Sequence, residues 1–288
     1  MANNTNHVLQ NRTANLLLAR LRQVLVTKDN VIFNTQYEGN PTAGAVRIPY
    51  ASEVEVSDYD LATGLDPKLG STNYLTIPVT KYKAVNELIP NYVAAAVPFN
   101  ILVDKLGSAG YKLAQVHDQI GLTLLAGADT ATYTEGDPRY GKKATKQTFT
   151  AGASVFDAIV DGHKAQTLAN VPVNGRYILA SAEGRALAIK DKDNFIKQGD
   201  LSQKLVETGA IGSMDGAAFY ETNGLPSDVL FILGHPMAAT RIMEFQQEPE
   251  VVDLRGSGKW IATSAVQALQ IYEYAVTHPE AFVIIRKA

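Results

Sequence analysis

Side chains able to bind a metal, carry a proton or attack a carbon are thinly spread in this sequence. There is no cysteine, which excludes thiolate zinc sites, iron–sulfur clusters, disulfides and a cysteine nucleophile. The five histidines, His7, His117, His163, His235 and His278, are scattered, with no pair at metal-ligand spacing. Gly258-Lys259 lies in RGSGKW, but a phosphate loop needs a glycine five positions before Gly258 and Ser or Thr after the lysine. Asp253 and Trp260 stand there instead, so the backbone cradle and the magnesium ligand are missing. No G-x-S-x-G elbow occurs, and no G-x-G-x-x-G follows a strand. Asp58, Asp60 and Asp66 cluster in one Gly- and Pro-rich stretch, where carboxylates can hold calcium or simply form turns. The expectation is no catalytic residue, no cofactor and no metal.

Composition narrows the classes further. The 288 residues carry 26 Lys plus Arg against 29 Asp plus Glu, a net charge of -3, without the basic excess of a dedicated nucleic-acid binder. Hydrophobic residues at 46% are enough for a core rather than a disordered chain. The charged fraction of 19% lies below the roughly 25% usual for soluble domains, a hint that much surface ends against other chains. No apolar run reaches membrane-spanning length, and MANNTNHVLQNRT has no basic secretory leader. No membrane partner is expected.

The elements that would position any site follow from periodicity. Residues 1–35 read as an arm, with Leu9, Leu16, Leu17, Leu21, Val24 and Leu25 partly at helical spacing and Arg12, Arg20 and Arg22 between them. Residues 46–57 and 73–85 alternate, the second run with Leu75, Ile77 and Val79 on one face. DYDLATGLDPKLGS between them makes the two runs a long hairpin, with Pro49 and Pro78 interrupting its ladder at edge positions. A two-stranded ribbon has no core of its own. Val46, Ile48, Leu75, Ile77 and Val79 are therefore the expected contact with a neighbouring subunit.

Leu102, Leu106, Leu113, Val116, Ile120 and Leu124 predict one continuous helix over residues 99–125, the longest in the chain, with Gly107, Gly110 and Gly121 as its weak points. Gly127 is its expected C-cap. Residues 128–150 read as a loop or weak hairpin. Beyond them come a helix over 153–170, a buried strand in RYILAS, helices over 182–190 and 199–207, strand character in IGSMDGAAFYETNGLP and a buried strand in VLFILG. A further helix is expected from Pro236, then strands in LQIYEYAV and AFVIIRK. This is an α+β or α/β module around a central sheet.

That order of parts resembles the major capsid proteins of tailed bacteriophages, the Hong Kong 97-type shell fold. Residues 76–125 look like the strand leaving the extended loop followed by the spine helix. Residues 211–242, IGSMDGAAFYETNGLPSDVLFILGHPMAATRI, are similar to that family's strand, turn, buried strand and helix, and YEYAVTHPEAFVIIRK looks like its closing strand pair.

The resemblance implies an α+β capsid fold with an N-terminal arm (1–35) and an extended hairpin loop (36–84). A peripheral domain (85–150 and 244–275) would carry the spine helix, and an axial domain would take 151–243 and 276–288. It implies a non-enzymatic protomer self-assembling through pentamers and hexamers into an icosahedral head around double-stranded DNA, a virion component assembled in the host cytoplasm. Scaffolding, portal and decoration proteins are the implied partners, the scaffold separate because no long segment precedes the arm. Arg12, Arg20 and Arg22 would face DNA or acidic neighbours. Lys68 stands near the hairpin tip, where some members cross-link, but no acceptor motif matches it. An encapsulin-type compartment has the same fold, and an α/β enzyme built from 151–243 is the contrasting alternative.

Overall fold

The computed structural model describes all residues except 1–21, 28–30, 37–43, 52–53, 55, 60, 62–63, 65–68, 71, 97–99, 192–211 and 255–260. The elements in chain order begin with β1 (Ala45–Ala51), β2 (Thr72–Pro78), β3 (Lys81–Pro90), α1 (Asn91–Ala96) and α2 (Ile101–Ala126). Next come β4 (Thr145–Phe149), α3 (Val155–Leu168), β5 (Tyr177–Ala180), α4 (Ala182–Lys190), β6 (Ser213–Met214), β7 (Ala217–Glu221) and β8 (Val229–Gly234). Two long strands, β9 (Ala239–Asp253) and β10 (Thr263–Val276), precede the closing β11 (Val283–Lys287). The strands form a β1-β2 ribbon, a three-stranded sheet β3-β10-β9 and a six-stranded sheet β4-β11-β8-β5-β7-β6.

The six-stranded sheet is the centre of the larger unit, and its strands show why RYILAS and VLFILG read as buried. All residues of β5 and β8 are buried. Alternate side chains feed two clusters: Tyr177, Leu179, Ile232 and Ile284 enter one, and Ile178, Phe231, Leu233 and Ile285 the other. A sheet covered on both faces gives continuous apolar runs instead of alternation. The second cluster is completed by Val155 and Ile159 of α3 and by Ala188 of α4. α4 approaches so closely that a Cβ on Gly184 would lie 2.5 Å from the Leu230 carbonyl oxygen. Ser154 and Ser181 cap the two helices, accepting from the amides of Asp157 and Gly184.

The chain divides into two compact units, one containing Ala84–Leu113 and Gln246–Leu269, the other Gln23–Lys83, Ala114–Phe245 and Gln270–Ala288. The first has its own small core of Ile89, Ala109 and Val266, with Val85, Ile101, Leu102 and Leu106 against it. There the Asn91 amide donates to the Ala262 carbonyl at 2.9 Å.

The helix expected over 99–125 is continuous over its 26 described residues, Ile101–Ala126, without a break at Gly107–Gly110. A Cβ at either glycine would meet nothing within 4 Å among the described residues. At Gly121 a Cβ would stand 3.0 Å from the Phe33 ring, so only there does the missing side chain permit close packing. The Gly127 amide closes the helix on the carbonyls of Thr123 and Leu124.

Several expectations need correction. The run 73–85 is two strands: β2 stops at Pro78, and β3 belongs to another sheet beside β10. Lys81 and Lys83 follow the inward Leu75, Ile77 and Val79 at the same parity, and no apolar face continues there. The first arm of the hairpin is strand over Ala45–Ala51, and the described Val54, Val56 and Ser57 beyond it are not in a strand. Residues 128–150 contain an edge strand, β4, parallel to β11. Pro236 starts only a single 3-10 turn, Pro236–Ala238, before the fifteen-residue β9. The helix expected over 199–207 lies outside the described residues.

Candidate functional site

The two strands of the hairpin pair antiparallel from Ala45↔Pro78 to Ala51↔Thr72. The Val79 amide donates to the Gly44 carbonyl opposite it at 3.0 Å. Counting from that bonded pair, 46/77, 48/75 and 50/73 are hydrogen-bonded pairs, while Pro49↔Tyr74 and Pro78↔Ala45 fall between them. Neither proline breaks the ladder, because an amide at either position would point outward.

The inward face carries all five residues expected to meet a neighbouring subunit, and the structure brings them together within the chain. Val46, Ile48, Leu75, Ile77 and Val79 are between 2% and 8% exposed, packed with Ile242 of β9 and Ile271 of β10. This corrects their assignment: a side chain sealed on its own body has little surface left for a partner. The apolar face was legible, but what covers it was not. Beyond the paired strands, Val54, Val56, Leu61 and Leu69 are each at least 90% exposed. Among the described residues the hairpin also leaves Tyr59 and Tyr74 open.

Of the arm arginines, Arg12 and Arg20 lie outside the described residues, whereas Arg22 places its guanidinium 4.6 Å from the centre of the Tyr111 ring. The chain that follows is tied to α2 through Asp118, whose Oδ1 accepts from the amides of Val26 and Thr27 and from the Thr27 hydroxyl at 2.8–3.0 Å. Asp58 is exposed; Asp60, Asp66 and Lys68 are outside the described residues. Among the described residues no three His, Asp or Glu side chains are placed to share a metal. No described helix is long and apolar enough to cross a membrane.

Sequence reasoning missed the polar clusters, because each joins segments far apart in the chain. Arg286 binds both Asp129 oxygens at 2.8 Å and also reaches Asp228 and the Ala126 carbonyl. Its hydrogen bonds hold the Asp129 carboxyl below the usual carboxylate range, against the opposing effect of burial. Lys142 donates to the Tyr50 hydroxyl at 3.1 Å and to Glu280 at 3.0 Å. Burial pushes the Glu280 carboxyl up, but hydrogen bonds from His278, its own backbone and Lys142 win and bring it to about 2.

Among the described residues of the 151–243 region, one histidine–carboxylate pair stands out. His163 Nδ1 lies 2.8 Å from Asp215 in the β6–β7 turn, but His163 is 3% exposed and its Nε2 is enclosed without a hydrogen-bond partner. The pair joins α3 to that turn. A cavity of about 400 Å³ opens at the start of α3, yet the Asp191 carboxylate already accepts the amides of Val155 and Phe156. The chain's own carboxylate fills the place an anion would take at that helix end.

With this geometry established, the fold can be compared with known proteins. No family model and no curated protein sequence matches the chain. Among solved structures, the capsid structure of the Cyanophage P-SCSP1u matches with a TM-score of 0.79 at 14% identity, covering 100% of this chain and 97% of that one. A protein of Mycobacterium phage Che8 matches with a TM-score of 0.75 at 21% identity over 97% of both chains. The capsid of a native GTA particle gives 0.66 at 12% identity, covering 99% and 97%. What is shared at such identities is the fold, and it is shared from end to end.

Proposed function

We propose, starting from a chain that folds throughout like phage capsid subunits, that it is a non-enzymatic major capsid protein of the Hong Kong 97 type. Copies self-assemble through pentamers and hexamers into an icosahedral head enclosing double-stranded DNA. The carrying observation is the end-to-end likeness to the Cyanophage P-SCSP1u capsid structure. The hairpin supports the reading, since its exposed Val54, Val56, Leu61 and Leu69 offer apolar side chains to another surface. In this reading the hairpin base anchors on its own subunit and the tip lies on the neighbour. The long helix serves as the spine, and the six-stranded sheet belongs to the axial domain.

Arg12, Arg20 and Arg22 would meet packaged DNA through phosphates, weakly and without sequence preference, or acidic residues of neighbours. Scaffolding, portal and decoration proteins are the remaining partners, in a virion assembled in the host cytoplasm. Electron microscopy of the chain, purified alone and after co-expression with a scaffolding protein, tests this: closed shells are expected in at least one of the two. Replacing residues 55–70 with a short Gly-Ser turn should leave a soluble, cooperatively folded protein that forms none. Normal shells from that deletion would overturn the role of the tip.

A further inference from the structure

The hairpin leaves the body of the chain at the polar cluster around Lys142. Val46, Ile48 and Tyr50 share one face of β1. The first two are sealed against Ile242 and Ile271, while Tyr50 lies one residue before the last pair, Ala51↔Thr72. Tyr50 is therefore the rim residue of the seat, between the buried base and the exposed tip. Lys142 reaches it through the hydroxyl, with its ammonium 3.1 Å from that oxygen and 5.5 Å from the ring centre. Glu280 fixes that ammonium from the other side at 3.0 Å, and the His278 ring centre stands 5.9 Å from that of Tyr50.

Other charged and titratable groups surround the cluster without replacing Lys142. Arg139 is held by both oxygens of Asp137 and by the Val276 carbonyl, with its guanidinium over the Tyr133 ring. Among the described residues, no other side-chain hydrogen bond joins β1 or β2 to the rest of the chain.

We propose that Tyr50, Lys142 and Glu280 form a clasp that sets where the hairpin departs from its own subunit, and that opening it frees the tip to change attitude as copies meet. The second half rests on the shell reading; the first does not. Lys142 and Glu280 are each about one third exposed, so their attraction is modest on its own. Its leverage is positional. The apolar seat ends at Tyr50, and losing the last fixed point lets the strands fray from their outer end.

Hydrogen exchange on the full chain separates the two halves. In Tyr50→Phe and in Lys142→Met, exchange in residues 45–51 and 72–78 should rise about tenfold, with β5 and β8 unchanged. Lys143→Met, at the exposed neighbouring lysine, should change nothing. The same two variants should assemble at a lower protein concentration than the natural chain. Unchanged exchange in both variants, or an equal rise in β5 and β8, would overturn the clasp. Raised exchange with an unchanged assembly concentration would overturn its link to assembly. Failure of the natural chain to assemble both alone and with a scaffolding protein supplied would overturn the shell reading and that link together, leaving the clasp to stand or fall on exchange.

Discussion

The hairpin and the six-stranded sheet are both built from apolar strands, but they bury their side chains by different rules. β8 is buried at every residue because clusters lie on both faces of its sheet. β1 and β2 bury alternate residues, because only one face of the ribbon meets Ile242 and Ile271. Removing a side chain from the sheet opens a hole in a closed core. Removing one from the ribbon loosens an appendage. The first region is organised for persistence, and the second is the one the proposed shell would use for engagement.

The contrast can be broken most forcefully in the sheet. Phe231, fully buried, should lose about 3–5 kcal/mol of global stability on Phe231→Ala, seen as a lower denaturation midpoint. A loss below about 1 kcal/mol would mean that the sheet tolerates holes and that the two regions are not different in kind. Next in size is Arg286→Met, which strands the enclosed Asp129 carboxylate and should cost about 3 kcal/mol at neutral pH. The sign with pH is fixed. The folded-state value of Asp129 lies below the ordinary 3.8, so its stabilisation is fully present above 3.8 and disappears as pH falls through the folded value. Urea midpoints of both proteins should therefore converge in strong acid. A gap that persisted there would assign the effect to packing instead of charge.

The ribbon should respond locally. Ile77→Ala is expected to weaken the seat by about 2–3 kcal/mol, raising exchange in residues 45–51 and 72–78 while the global midpoint moves much less. An equal global loss would make the hairpin part of the same cooperative core. The smallest effect concerns α2. Gly107→Ala should stabilise the chain by up to about 1 kcal/mol, since alanine suits a helix better and its Cβ meets nothing within 4 Å. If that variant were more stable yet failed to assemble, the bare helix face would itself be a contact.

Much of this was readable in advance where burial leaves a one-dimensional trace. Continuous apolar runs marked β5 and β8, leucine spacing marked α2, and alternation marked the base of the hairpin. β4 escaped because it is an edge strand in which only Phe149 is buried, so its TKQTF carries neither alternation nor a run. β9 escaped in part because from Glu244 to Asp253 none of its residues is buried. Alternation told which face of the hairpin was apolar but not what it touched, since Ile271 is 194 residues from Ile77. The Lys142 cluster draws on three distant segments, and no local pattern announces such a meeting.

Pro49 and Pro78 carry a last consequence. A lone ribbon with two unsatisfied edges is a template on which a second ribbon can add, then a third, until fibrils form. Both prolines sit at outward-facing positions of the register, where each removes a donor that such stacking would use. The ribbon keeps its internal ladder and loses part of its ability to recruit copies of itself through the backbone. Where copies meet in the proposed shell, contact would then fall to side chains instead of the ribbon's backbone. In the proposed shell, two imino acids would thereby favour a bounded particle over an endless thread.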